Sequence, residues 1–217
     1  MWGLGMKVTV SHIIGNNMNI TNTQVFGFEP ALRGMRNPMN SWHLQDTEKD
    51  IIGPNDMNLG KRLIKAGNEH CKFLRQIQVW ADFDMPLYWW SEFDTYKFNT
   101  KNSCSTMHKL FNAKKGIELT DFVFSEEEKP TLTFIISELN SLREKYLQTK
   151  DFNYILRGKR LLPTSFKQKR TVNTNYAELM NIYNQRKHHI LKDEWREVFC
   201  KWCESLPYFK EFLSIEE

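Results

Sequence analysis

The sequence predicts an α+β fold, an antiparallel sheet packed against a helical bundle, and three observations carry that expectation. From Phe73 to Phe83 the chain alternates: Phe73, Arg75, Ile77, Val79, Ala81 and Phe83 share one face, while Gln76, Gln78 and Asp82 share the other. That is the period of a half-buried antiparallel strand. Leu132, Ile135, Ile136, Leu139, Leu142 and Tyr146 recur instead at helical intervals. Strand-like segments come early and helical ones late, which places the early strands in one sheet with the later helices against it.

The elements follow in order along the chain. Met6 to Ile14 reads as a short strand, Asn16 to Thr23 as an Asn/Thr-rich turn, and Gln24 to Phe28 as a second strand. EPALRGMRNPMNSW reads as a helical turn ended by Asn37-Pro38, on which Arg33 and Arg36 fall three apart and can present two guanidinium groups to a phosphate or to solvent. Asn55 or Asp56 can cap a helix from Met57 to Lys65 that Ala66-Gly67 ends. Pro86, which lacks an N–H, suits the start of the next helix, where Leu87, Trp90 and Phe93 share a buried face. A polar loop is expected over 98–108 and a charged linker over 112–130, its acidic run Glu126-Glu127-Glu128 solvated near a helix start. Helices are then expected around 132–146, 152–161, 176–186 and 193–205, so that 1–217 forms one domain with strands and helices over 6–97 and a helical half over 131–214.

Composition narrows the function classes. Hydrophobic content of 41% and charged content of 26% are those of a globular protein, and no apolar run reaches the roughly 20 residues a membrane helix needs. MWGLGMKVTVSH lacks the apolar core and cleavage site of a secretory signal, so a cytoplasmic location is expected. The net charge of +4 favours phosphate-bearing ligands locally and is too small to imply nucleic-acid binding. The four cysteines are too scattered for a disulfide framework, and Cys200 and Cys203 have no second pair to complete a zinc site; they read as small residues on a packed helix.

Two segments carry candidate chemistry. Past the Pro86 helix, Asn99 to Thr106 crowd hydroxyl, amide, thiol and ammonium groups, which suits either a site gripping a polar ligand such as a nucleotide or an ordinary capped loop. Lys167, Lys169 and Arg170 make a dense basic segment, read either as a phosphate contact or as a solvent-facing turn, and Asn181 and Asn184 lie three apart on the following helix. A carboxamide sets a donor beside an acceptor, which the edge of a pyrimidine or flavin ring requires. Cys104, beside Lys101, is a candidate reactive thiol or an inert one.

These segments resemble the flavin-dependent thymidylate synthase family, whose signature has the form RHRxxSxNxxSxRY. Laid over this chain it meets Thr95-Tyr96-Lys97, then Thr100, Asn102, Ser105 and Met107-His108. A second stretch matches in order at Leu162-Pro163, Lys169, Asn175, Leu179-Met180-Asn181, Asn184 and Arg186, and the resemblance spans roughly residues 24–205. It also extends to shorter relatives in bacteriophages and their hosts. The resemblance implies a thymidylate synthase-complementing-protein-like fold, a homotetramer, and a dUMP-like pyrimidine nucleotide methylated at C5 with FAD, NADPH and methylenetetrahydrofolate. It implies catalytic roles for Ser105 and Arg186, the latter polarising the pyrimidine; nucleotide contacts from Glu92, Ser103, Cys104, Ser105, Arg186 and one or both of Lys169 and Arg170; and flavin contacts from Thr95, Tyr96, Lys97, Asn102, Asn175, Asn181 and Asn184. Lysine in place of the family's arginine at 97, and Met107 in place of a phosphate-binding arginine, remove planar bidentate contacts. The alternative reading is a catalytically inactive relative that binds a nucleotide, or that engages a host partner through the 167–170 segment and a Trp-rich surface.

Overall fold

The computed structural model describes residues 6–7, 12–14, 18–111 and 114–214, with side chains described from Met18 onward except that of His108. Among the described residues six strands form one antiparallel sheet: β1 (Met6–Lys7), β2 (His12–Ile14), β3 (Met18–Phe26), β4 (Gln78–Pro86), β5 (Thr100–Ser103) and β6 (Lys167–Asn175). Their order is β1-β3-β4-β6-β5, with β2 also paired to β3. The helices are α1 (Phe28–Gly34), α2 (Pro54–Ala66), α3 (Leu87–Phe93), α4 (Thr106–Lys109), α5 (Lys129–Thr149), α6 (Phe152–Leu161), α7 (Tyr176–Arg186), a π-helix over Lys192–Cys200, α8 (Lys201–Glu204) and α9 (Phe209–Leu213).

Several expectations about individual elements are corrected. Part of the Asn/Thr-rich segment is strand: β3 already runs from Met18, and it absorbs Asn22 as a bulge at positive φ between Thr21 and Gln24. Asn16 and Asn17, and residues 8–11 of the expected first strand, lie outside the described residues. The alternation around β4 begins later than expected, because Lys72–Arg75 is a 3-10 turn; Ile77, Val79, Ala81, Phe83 and Met85 form the buried face while Arg75 is exposed. Neither Asn55 nor Asp56 caps α2. Gly53 holds the N-cap, and the Asp46 carboxylate accepts the N–H groups of Asn55 and Asp56 at 2.8 and 2.9 Å.

The later half is not helical throughout, since β6 inserts between β4 and β5. The basic segment that read as a turn is therefore strand, and so is part of the polar loop, as β5. Within 112–130 the acidic run Glu126-Glu127-Glu128 is exposed, while Ile117 and Phe122 are buried and Phe122 bridges to Phe166. The expected last helix is a π-helix continued by α8.

One face of the sheet is covered. Met18, Ile20, Val25, Val79, Phe83 and Val172 pack against Trp89, Trp90 and Phe93 of α3, Leu179 and Ile182 of α7, and Trp195, Phe199 and Trp202 of the last helices. Burying an aromatic or aliphatic side chain of this kind contributes roughly 1.5–3 kcal/mol each. The Trp-rich surface of the alternative reading is thus largely core; among the described residues only Trp42 and Trp80 are exposed tryptophans. A second core joins α5 and α6 to the 110–122 segment through Phe111, Phe122, Leu139, Leu142 and Ile155. Gly158 lets Phe111 seat there, since a Cβ would fall 2.3 Å from its ring.

Candidate functional site

Strand periodicity divides the basic segment. In β6 successive side chains point to opposite faces, so Lys167 and Lys169 fall on one side and Arg170 on the other. Lys167 pairs with Asp84 at 3.5 Å and Lys169 with Asp82 at 3.1 Å, both across the β4–β6 ladder, where Asp84 stands opposite Lys169. Arg170 reaches Asp94 at 3.1 Å and lies over the Trp90 ring, 4.2 Å from its centroid.

The Lys167/Lys169 side opens into a cavity of about 260 Å³ that also takes in Cys104, Ser105, Thr106, Lys109, Lys115 and Gln168. Its floor includes Leu110, Ile117 and Phe166, and Asp84 and Asp121 add two carboxylates. The corner between β5 and α4 is pinned to β6: the Cys104 N–H donates to the Lys169 carbonyl at 2.9 Å and Gln168 Nε2 to the Cys104 carbonyl. An apolar floor with several ammonium groups around it can hold an organic anion, its ring below and its phosphate at the lysines. Lys167 is nearly buried, whereas the Lys169 side chain is 56% exposed and can exchange its carboxylate partner for another anion.

Asp82 and Asp94 anchor the two sides. Burial pushes the Asp82 carboxyl up, but hydrogen bonds from Thr171, Asn22 and Lys169, with the Lys169 charge, outweigh it and hold the group below the usual carboxylate range. Burial likewise opposes ionisation at Asp94, and hydrogen bonds and charge from Lys101 and Arg170 reverse it.

Arg186 lies elsewhere, at the end of α7. Its Nη1 donates to Glu92 at 2.8 Å and its Nε to the Tyr96 hydroxyl at 2.8 Å, while the guanidinium lies 4.6 Å from the Trp195 ring centroid. Trp195 Nε1 also donates to Glu92, and His189 stands 3.5 Å from it. Arg186 is therefore an inward-held cation. Arg36 departs further: it is buried and paired at 2.6 Å with the buried Asp56, whose other oxygen accepts the N–H groups of Asp46 and Thr47.

The cavity thus unites Cys104, Ser105, Lys167 and Lys169 and adds Lys109 and Lys115, which sequence reasoning had not singled out. Glu92, Arg170 and Arg186 are not in its lining, and Ser103 is exposed on β5 opposite Arg170. Of the residues expected near flavin, Asn175 and Asn181 line a separate cavity of about 330 Å³ with Asn68, Arg75 and Phe98. Thr95 hydrogen-bonds the Glu92 carbonyl, Lys97 the Asp94 carbonyl, and Tyr96 is buried with its hydroxyl donating to Gln185. Asn102 is exposed on β5, and Asn184 accepts from Lys187 at 3.5 Å. Of the residues expected near flavin, Asn175 and Asn181 share one cavity in this chain.

Cys200 and Cys203 are free and buried; burial pushes the Cys200 thiol up to about 12 and Cys203 well above its ordinary value. Among the described residues no cluster of His, Cys, Asp and Glu could hold a metal ion, and no helix is long and apolar enough to cross a membrane.

No family model and no curated protein matches the sequence. Solved structures do match. Thymidylate Synthase X (ThyX) from Helicobacter pylori with FAD and dUMP superposes with a TM-score of 0.71 at 16% identity, over 90% of this chain and 96% of that one. A second structure, the flavin-dependent thymidylate synthase ThyX of the same organism complexed with FAD and dUMP, gives 0.69 at 16% identity over 89% and 97%. The chain has the fold of flavin-dependent thymidylate synthase ThyX.

Proposed function

We propose that this protein is a divergent flavin-dependent thymidylate synthase-like protein that binds a pyrimidine nucleotide of the dUMP type in the lysine-lined cavity. The observation that carries the proposal is the convergence of Ser105, Lys167 and Lys169 on one cavity with an apolar floor, in a fold shared with synthases solved with FAD and dUMP. Lys169 holds the phosphate by leaving Asp82, Lys167 adds a second positive charge, and Ser105 offers a hydroxyl. Phe166 and Ile117 receive the ring.

The flavin side of the proposal rests on Asn175 and Asn181, beside Arg75 and Phe98. Lys167 and Asn175 are the two ends of β6, so at about 3.3 Å per residue the two cavities stand roughly 26 Å apart along the strand. One compact centre cannot use both within a chain. Assembly as a homotetramer, with sites completed between subunits, would bring the nucleotide side of one protomer to the flavin side of another. FAD bound there would supply hydride, with NADPH and methylenetetrahydrofolate as co-substrates. This chain's own part at the lysine cavity is to hold the phosphate and orient the ring.

A specific observation favours the second reading, a nucleotide-binding relative without catalysis: Arg186 is held by Glu92, Tyr96 and Trp195. Titration calorimetry with dUMP tests the binding proposal. Saturable binding that weakens at least tenfold in Lys169→Ala is expected, and no binding to the wild type would overturn it. Absorbance spectra after incubation with FAD, with and without dUMP, separate the two readings, since retained flavin bands belong only to the synthase. Light scattering reads the assembly.

A further inference from the structure

We propose that this protein carries an acidic site, apart from the lysine cavity, that takes a free aliphatic diamine, one ammonium at Glu194 and the other at Glu127 and Glu128. These three carboxylates line a cavity of about 660 Å³, Glu194 from the first turn of the π-helix and the other two from the turn before α5. No lysine, arginine or histidine lines it. In a chain of net charge +4 the cavity is thus a local concentration of negative charge, and its size is that of a small-molecule site.

Glu194 carries the inference. Its side chain is buried, with 7% of the residue exposed, and the Tyr88 hydroxyl donates to its Oε1. That hydroxyl orients the carboxylate without neutralising it, and Oε2 has no donor among the described residues. No cation among those residues pairs with Glu194, Glu127 or Glu128. A buried carboxylate without a cation is costly, and a bound ammonium would remove that cost. Tyr88 registers the same field: burial, the hydrogen bond to Glu194 and the charges of Glu194, Glu128 and Asp193 all push its hydroxyl well above the ordinary range.

The arrangement selects the kind of cation. Among the described residues no three carboxylates group closely enough to hold a metal ion, so these three are spread around the cavity rather than gathered at one point. Val123, Leu132, Ile135 and Pro163 supply its apolar wall. Separate carboxylates beside an apolar wall suit two ammonium groups joined by methylenes, since the stem is buried while each end keeps a charged partner. Glu128 Oε2 already accepts the Ser125 N–H at 2.7 Å, which fixes that carboxylate at the mouth.

Titration calorimetry with putrescine tests it, at about 0.1 M salt so that attraction beyond roughly 10 Å is screened. Putrescine should bind saturably and at least tenfold tighter than butylamine, which has one ammonium. Glu194→Gln, close in shape and still able to accept from Tyr88, should weaken putrescine at least tenfold. Glu127→Gln, on the exposed rim, should weaken it about threefold, as loss of an exposed ion pair does, and decides the matter should circular dichroism show the buried variant unfolded. No binding, affinity unchanged in the folded variants, or displacement by magnesium chloride at equal charge overturns the proposal, the last because charge alone would then suffice. Tighter binding of Nα-acetyllysine amide than of putrescine overturns the free diamine and gives the site to a lysine side chain of another protein.

Discussion

Lys169 and Arg170 are adjacent in sequence, carry the same charge and pair with aspartates, yet they serve opposite faces of one sheet. Lys169 is exposed beside a cavity, its carboxylate partner within reach of replacement. Arg170 is covered, its side chain 14% exposed, bound to Asp94 and laid on Trp90. Arg36 and Arg186 repeat the second pattern, one in a buried pair with Asp56 and the other among Glu92, Tyr96 and Trp195. The chain uses these arginines to organise its interior and leaves lysines around the cavity. A planar guanidinium satisfies a carboxylate and an aromatic face at once, whereas an ammonium on a flexible stem keeps its freedom to exchange partners.

Breaking the interior set should have the largest effect. Arg36→Ala leaves the buried Asp56 carboxylate without its cation and should cost about 3–5 kcal/mol, read as a lower urea midpoint at unchanged slope. Arg186→Ala removes a charged hydrogen bond to Glu92 and the ring contact, an expected loss of about 1.5–3 kcal/mol. An unchanged midpoint would place Arg186 with the exchangeable cations after all. Lys169→Ala should change stability by no more than about 0.5 kcal/mol while weakening dUMP binding at least tenfold, so calorimetry and denaturation must disagree on this residue.

The smallest effect is that of pH. The Asp82 and Asp94 carboxyls sit below their ordinary range in the folded chain, so the unfolded chain takes up protons first. Their contribution is complete above the ordinary carboxylate pKa, declines as pH falls through it and is gone below the folded values. Asp94→Asn should flatten the stability profile in that acidic window and leave its neutral end least changed in shape. A profile with the wild-type slope would show that Asp94 contributes nothing to it.

The legible part of the fold was whatever repeats locally. The buried face of β4 and the core face of α5 follow from period two and period 3.6, and both stand in the structure at Ile77, Val79, Ala81 and Phe83 and at Leu132, Ile136, Leu139 and Leu142. β5 and β6 were hidden because they are polar: Thr100–Ser103 has no apolar residue, and β6 shows only Val172. Their pairing with each other and with β4 supplies the backbone hydrogen bonds that no local pattern announces. The candidate site divides similarly. Ser105, Cys104, Lys167 and Lys169 could be singled out from residue type and order, while Lys109 and Lys115 joined them only through the cavity.

By itself the sequence determined the fold class, the polar and basic segments that line the cavity, and the resemblance to flavin-dependent thymidylate synthases. The tertiary structure alone decided which cations remain exchangeable. Side chains one residue apart on a strand point to opposite faces, and only the packing of α3, α7 and the last helices on one of those faces makes Arg170 an interior residue and Lys169 a cavity-facing one.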